Sequence, residues 1–553
     1  MRVAVIGSGV TGIGAAWALN EHSAHDVVVF ESASRVGGHS NTVRFEPPSG
    51  APACDVDTGF IVFNEVTYPN FLRFLKHLEV PILSSDMSFA VSRSFPLTAA
   101  PPLPSATKGS GRSAALQRGA FEWAGSSPAA LFAQGANLLD PSHWRMIWDI
   151  IRFNYQSLDT LRATAQRADA KAGGAGQSIG AWLDERGYGD SFRNNYLIPM
   201  TASIWSTPPG LAFSAFPALT LLRFMHNHHL LQLLDRPTWL TIAGGSHNYV
   251  RRVVSKLPDG ALRLGDAGNV HKVRRDGERW IVHVGDHSEH FDRVIFACHA
   301  DTALALLDES SDPDASAALA KFKFSENEAV LHADEQLMPV RRIAWSAWNF
   351  LATSKSRRST DEDRVTLTYW MNLLQSLPEE KHGHVLVTLN PAPGAEPREH
   401  LVRGRFKYTH PLYTPDSVAA QARLRTLQGR HGAHYAGAWT AYGFHEDGFS
   451  SGLRAACALG ANVPFKPQPA ERPLPAVSTL AWLLIASFEA LRRRAAPWLA
   501  LAIAPSIIVF ALLVELASVP AGLVLPGLRQ SPRLQEVREV RRWWVEEVQG
   551  KWL

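Results

Sequence analysis

Arg2-Val3-Ala4-Val5-Ile6-Gly7-Ser8-Gly9-Val10-Thr11-Gly12-Ile13-Gly14-Ala15-Ala16-Trp17-Ala18-Leu19 opens the chain. Residues 2–6 read as a short buried strand. Gly7, Gly9 and Gly12 follow at the spacing of a tight turn, and the Ala-rich run reads as a helix. A second apolar run, Val27-Val28-Val29-Phe30, ends in the acid Glu31. Strand, glycine turn, helix, strand and acid, in that order, make a dinucleotide-binding unit. Glycine clusters also make ordinary turns, so here the context decides. The glycines let the backbone approach a pyrophosphate closely, and the helix start offers free N–H groups and a positive dipole end. The candidate cofactor residues of this turn are Gly7, Ser8, Gly9, Thr11 and Gly12. Glu31, with Ser32 beside it, is placed to bond a ribose hydroxyl.

Arg35-Val36-Gly37-Gly38-His39-Ser40-Asn41-Thr42 follows the acid directly and brings a second close-approach glycine pair to the same pyrophosphate. Further on stand Phe291-Asp292-Arg293-Val294-Ile295-Phe296-Ala297-Cys298-His299 and Tyr435-Ala436-Gly437-Ala438-Trp439, then Gly443-Phe444-His445-Glu446-Asp447-Gly448 and Ser451-Gly452. With these blocks in this order the chain resembles the amine-oxidase-like superfamily of FAD-dependent oxidoreductases. Within that superfamily it is most similar to a branch described as predicted FAD/NAD-binding oxidoreductases. Ala243-Gly244-Gly245-Ser246 and Ile204-Trp205-Ser206 also fit that branch. Some of its members resemble lipid desaturases acting on methyl-branched acyl chains. The resemblance implies FAD as cofactor, held by Arg35, Gly37, Gly38 and His39 in the second turn and by Gly437, Asp447 and Gly448 in the closing motif. His39 stands where that superfamily has Arg. The superfamily also contacts adenine through a backbone group at the position of Val273, and the segment Asp57-Thr58-Gly59-Phe60-Ile61-Val62-Phe63-Asn64 passes its flavin ring.

At 553 residues the chain is long enough for two lobes and an appendix. A hydrophobic share of 46% against 19% charged gives a globular protein with an apolar bias, and 17 Trp suit an apolar pocket or a membrane interface. A net charge of +4 without a basic stripe argues against a nucleic-acid partner. Cys54, Cys298 and Cys457 have no paired spacing, which excludes a disulfide scaffold and fits a reducing compartment. None stands where some amine oxidases attach the flavin, so FAD is expected to be non-covalent. The run His226-Asn227-His228-His229 has no carboxylate or Cys at ligand spacing, and no metal is expected. No leader is expected ahead of a strand that starts at residue 2.

The expected fold class is α/β: a discontinuous, Rossmann-like FAD-binding domain over 1–92, 236–305 and 425–462, and an α+β substrate lobe over 93–235 and 306–424. A Pro/Ser/Gly/Ala-rich stretch at 99–119 reads as a disordered insert. Residues 463–553 form a C-terminal hydrophobic helical appendix. It has a proline-rich linker, the triplet Arg492-Arg493-Arg494, and residues 495–514 without a charged side chain. Such a run is about 30 Å long as a helix, enough to span a bilayer. The arginines then put the catalytic lobes on the cytosolic side. The tail with Arg541-Arg542-Trp543-Trp544 is amphipathic and suits the headgroup layer. A hydrophobic helix packed on the FAD domain is the other reading of the apolar run.

One dinucleotide fingerprint leaves no site for a second nucleotide, so electrons pass to oxygen or a membrane quinone. The first functional reading is dehydrogenation, desaturation or isomerisation of an acyl or isoprenoid lipid at a membrane. The second is a flavin amine oxidase; the third is a non-catalytic, flavin-stabilised membrane scaffold. Amine oxidation in this superfamily uses a tyrosine just before the last glycine of the closing motif. Counting back from Gly448, that position is His445, with Tyr442 three residues earlier. His445 is the candidate catalytic proton donor or acceptor, because histidine titrates near neutrality, or else it bonds the FAD loop. Tyr442 is the second catalytic candidate. Glu446 and Asp447 read either as loop caps or as partners of FAD through water.

Overall fold

The computed structural model describes residues 1–96, 116–165, 177–205, 216–232, 237–353, 366–469, 472–474, 483, 485–491 and 494. Met1–Pro473 and Leu474–Leu553 form two separate compact units.

The first strand, Arg2–Ile6, is central in a five-stranded parallel sheet. Asp26–Glu31 and then Leu262–Leu264 lie on one side of it, Arg293–Phe296 and then Ala433–Tyr435 on the other. Successive side chains of a strand point to opposite faces. Val3 and Val5 therefore enter one apolar cluster with Trp17 and Phe449, and Ala4 and Ile6 enter a second with Trp280 and Tyr435. Burial on both faces explains why the strand reads as a continuous apolar run rather than an alternating one.

Helices Val10–His22 and His445–Ala458 pack on the first face. Small residues set their approach. A Cβ on Gly452 would lie 2.1 Å from the Thr11 carbonyl oxygen, and one on Gly14 would lie 2.8 Å from the Phe449 ring. The antiparallel meander Val270–Asp276, Arg279–Val284 and His287–Phe291 supplies Val273, Trp280 and Val282 to the second cluster.

The second lobe is built on a seven-stranded sheet in the order Val402–Leu412, Lys323–His332, Leu386–Leu389, Thr366–Trp370, Trp348–Thr353, Phe89–Pro96 and Leu116–Ala124. Its pairings are antiparallel except that Phe89–Pro96 runs parallel to Trp348–Thr353. Helices Pro141–Ala165, Ile179–Glu185 and Ala218–Asn227 belong to the same lobe.

Three expected boundaries move. Position 92 falls inside Phe89–Pro96, so the second lobe's sheet already begins at Phe89. Residues 116–119 of the supposed insert belong to the strand Leu116–Ala124, and the rest of that insert lies outside the described residues. Residues 463–473 belong to the first unit and not to the appendix. They are held there by side chains: Asn70 exchanges hydrogen bonds of 2.7 and 2.8 Å with the Gln468 backbone, and His226 bonds the Pro473 carbonyl at 3.3 Å. The apolar run 495–514 and the tail at 541–544 lie outside the described residues, among which no helix is long and apolar enough to cross a membrane.

Candidate active site

The first strand ends at Gly7, which sits at φ +106° with the Ala297 backbone against it; a Cβ there would be 2.9 Å from the Ala297 oxygen. The helix Val10–His22 starts at Gly9, and no side chain caps it. Its first-turn N–H groups are thus available to a ligand. Glu31 reaches back to this turn, accepting from the Ser8 amide at 3.0 Å and the Ser8 hydroxyl at 2.7 Å, and its other oxygen accepts from the Ala33 amide at 2.9 Å. The second turn is tied to the first: Gly37 N–H donates to the Ser8 carbonyl at 3.1 Å, and a Cβ on Gly38 would lie 3.0 Å from Gly9 Cα. Arg35 donates to the Gly38 carbonyl at 2.8 Å.

A cavity of about 1230 Å³ opens on these turns and runs to the large sheet. Single small-ligand sites are usually about 300–1,000 Å³, so this one has room for a long cofactor and a substrate. Phe30, Glu31, Ser32 and residues 268–270 line one part of it; His39, Phe60, Phe444 and His445 line another. Gly7, Ser8, Gly9, Thr11, Arg35, Gly38 and Gly437 also face the cavity.

Six candidate residues do not line it, and each has a physical reason. Gly12 is pressed on its own turn, where a Cβ would lie 1.9 Å from the Gly7 oxygen. Gly37, at φ +112°, turns the chain against the Ser40 carbonyl. Gly448 lets the last helix meet Val10 and Thr11. Asp447 is consumed by its own loop, accepting from the Tyr442 and Phe444 amides at 3.1 and 3.0 Å. Tyr442 turns its ring toward Phe224, at 5.7 Å, and its carbonyl accepts from the Trp205 indole. Val273 is fully buried, and its carbonyl accepts from the Asp308 amide at 2.9 Å; Val270, three residues earlier, is the one that lines the cavity.

His445 does line the cavity, but the expectation that it titrates near neutrality fails. Its ring stacks on Phe60 at 3.6 Å, and its Nε2 lies 2.9 Å from the Tyr249 hydroxyl and 3.2 Å from the Ser40 hydroxyl. Burial pushes its pKa down to about 3, so the ring stays neutral. Tyr249 and Ser40, whose hydroxyl oxygens are 2.6 Å apart, complete a buried triangle that no motif or spacing connects. Glu446 is buried as well, and it caps a different helix. It accepts from the Asn70 and Phe71 amides at the start of Pro69–His77, at 3.2 and 2.9 Å, and from the Ser450 hydroxyl at 2.7 Å. Cys298 lines the cavity, and burial pushes its thiol up to about 12. Among the described residues no group of three or more His, Cys, Asp or Glu is placed to hold a metal.

The profile of flavin containing amine oxidoreductases matches residues 10–460. The chain belongs to that family. Solved structures with the same fold include cyclohexylamine oxidase from Brevibacterium oxydans, at a TM-score of 0.56 and 15% identity over 83% of this chain and 98% of that one. A fatty acid isomerase from P. acnes aligns at 0.55 and 13% identity over 83% and 98%, and a putative protoporphyrinogen oxidase from an Exiguobacterium species at 0.53 and 14% over the same shares. An uncharacterized protein of Acanthamoeba polyphaga mimivirus is 41% identical over 68 residues, which is 12% of this chain and only 14% of that relative. This family member is an FAD-dependent oxidoreductase with an α/β fold.

FAD fits the cavity on observations independent of the family. Among the described residues, the missing Cβ of Gly9 would meet nothing within 4 Å, no side chain caps the helix behind it, and the buried Nε2 of His39 has no hydrogen-bond partner. Gly7, Ser8, Gly9 and Thr11 would hold the pyrophosphate. When bound, FAD supplies the two-electron chemistry.

Proposed function

We propose that this oxidoreductase dehydrogenates, desaturates or isomerises an acyl or isoprenoid lipid at a membrane. The apolar part of the cavity wall carries this reading: Met87, Ile204, Phe224, Leu230, Trp239 and Trp348 face the space beyond the glycine turns. The charged lining residues compensate one another in part, since Glu328 stands directly opposite Lys407 on paired strands. The chain's own contribution is to exclude water and orient the substrate. Phe224 stacks on Phe444 at 5.1 Å and meets the tilted His228 ring at 4.1 Å, which stiffens that wall. His445, which the motif count sets where amine oxidases have their tyrosine, is a buried, neutral ring. A fold neighbour is described as a CLA-producing fatty acid isomerase, which supports an acyl substrate.

The charge-free run 495–514 beside Arg492-Arg493-Arg494 supports membrane attachment with the catalytic lobes toward the cytosol. Oxygen or a quinone is then the electron acceptor. Amine oxidation is the second reading, favoured by the perpendicular Trp348 and Tyr369 rings, 4.9 Å apart on the cavity wall. Anaerobic incubation separates the two. A lipid fraction should bleach the flavin, or return with a displaced double bond, while polyamines and aromatic amines leave it oxidised. Rapid bleaching by simple amines, with every lipid fraction inert, overturns the lipid reading.

A further inference from the structure

Three imidazoles meet on the cavity wall beside the second glycine turn. His39 follows Gly38, which touches Gly9 at the start of the first helix. Its ring centre lies 5.4 Å from that of His410 and 6.2 Å from that of His299, with the Tyr408 ring 4.9 Å away. All four residues line the cavity.

A relay of hydrogen bonds orients His410. The Glu328 amide N–H can only donate, and it bonds Asn390 Oδ1 at 2.8 Å. That sets the Asn390 side chain, whose Nδ2 donates to Asn327 Oδ1 at 2.7 Å. Asn327 Nδ2 in turn donates to His410 Nδ1 at 2.9 Å. Nδ1 is therefore the acceptor, and the proton of the neutral ring sits on Nε2. Among the described residues no protein group accepts that N–H. His299 is steered by Thr409, at 2.9 Å, and stacks on Phe324 at 4.7 Å.

We infer that His39, His299 and His410 form an imidazole cradle that binds the pyrophosphate of FAD and takes up protons as it does so. The groups facing His39 are Arg35 from its own turn, His299, His410 and Tyr408 from the opposite wall, and His445 from the last helix; Asp301 lies near His299. Without a ligand, burial holds all three imidazoles below their ordinary range, helped at His39 and His410 by the neighbouring rings, with His410 at about 4. His410, whose Nδ1 must accept from Asn327, stays neutral and offers its Nε2–H, while a doubly charged anion among the rings favours the protonated forms of His39 and His299. Their pKa values are then higher in the complex than in the free protein, so binding consumes protons and tightens as pH falls. Each proton taken up makes the affinity roughly tenfold stronger per pH unit across that window.

Calorimetric titration of the full-length apoprotein with FAD, in buffers of different ionisation heat, counts the protons directly. The expected result is net uptake of about one proton or more near neutral pH, with a dissociation constant that falls as pH is lowered from about 8 to 6. H39R supplies a permanent charge, so it should keep FAD and take up about one proton fewer. H410N and H299N, with folding checked by circular dichroism, should each weaken FAD about tenfold or more. A pH-independent dissociation constant with no proton uptake in the wild-type protein overturns the cradle. So does a folded H410N that binds FAD as tightly as wild type.

Discussion

Substitution of Gly9 tests the cofactor assignment with little interference from the fold. Gly9 has φ −63° and ψ −178°, a conformation open to any L-residue, so no left-handed backbone is at stake. Its Cβ would meet nothing within 4 Å. Gly9→Ala should therefore fold, and the apoprotein should gain about 0.4–1 kcal/mol because alanine restricts the unfolded chain. FAD should respond in the opposite direction. A methyl group forced into a packed contact costs about 1–3 kcal/mol, a factor of roughly 5–150 in affinity. Valine, with two more carbons, should abolish binding. Gly12→Ala is the contrasting control, because its Cβ would stand 1.9 Å from the Gly7 oxygen and must disturb the turn itself. The assay is paired: flavin absorbance per protein after purification, and thermal unfolding of the apoprotein. A Gly9→Ala protein that keeps FAD at wild-type affinity would show that the pyrophosphate does not pass over Gly9. An unfolded one would show that the turn's glycine is there for the fold.

Three further outcomes are expected. Burial raises Glu446 from 4.5 to about 7, so the folded state holds a proton that the unfolded state has released; the contribution, roughly 3 kcal/mol at most, is present below about pH 4.5 and is lost as pH rises through 7. Glu446→Gln should flatten that loss, and parallel melting-temperature curves for the two proteins across this range would refute it. Truncation after Pro473 should leave a folded, FAD-containing protein, whereas a cut at 462 removes the Gln468 bonds to Asn70 and should lower the melting temperature; loss of FAD in the longer fragment would make the appendix part of the core. Because burial pushes the Cys298 thiol up to about 12, it is a poor nucleophile toward the flavin, and acid precipitation should release all the FAD into the supernatant; yellow colour remaining in the pellet would contradict this.

The difference between what was legible in the sequence and what was not follows the range of the forces involved. The glycine turns, the apolar strand and Glu31 act over short stretches of chain, and both the fold class and a set of residues that line the cavity followed from them. Gly12 and Gly448 illustrate the limit of a motif: the pattern requires glycine there, and the structure supplies a packing reason, the Gly7 backbone at Gly12 and the Val10 and Thr11 side chains at Gly448. Residue type misled at His445, since a free histidine titrates near neutrality and only burial, under the stacked Phe60 ring, removes that property. Its hydrogen-bonding neighbours Tyr249 and Ser40 lie 196 and 405 residues away along the chain, beyond any spacing rule. The His39, His299 and His410 cluster has the same origin: three chain segments meet where the large sheet closes against the glycine turns. The part of the site that decides charge at the cofactor is therefore assembled by tertiary contacts, even though the part that recognises the dinucleotide is written almost continuously in the first forty residues.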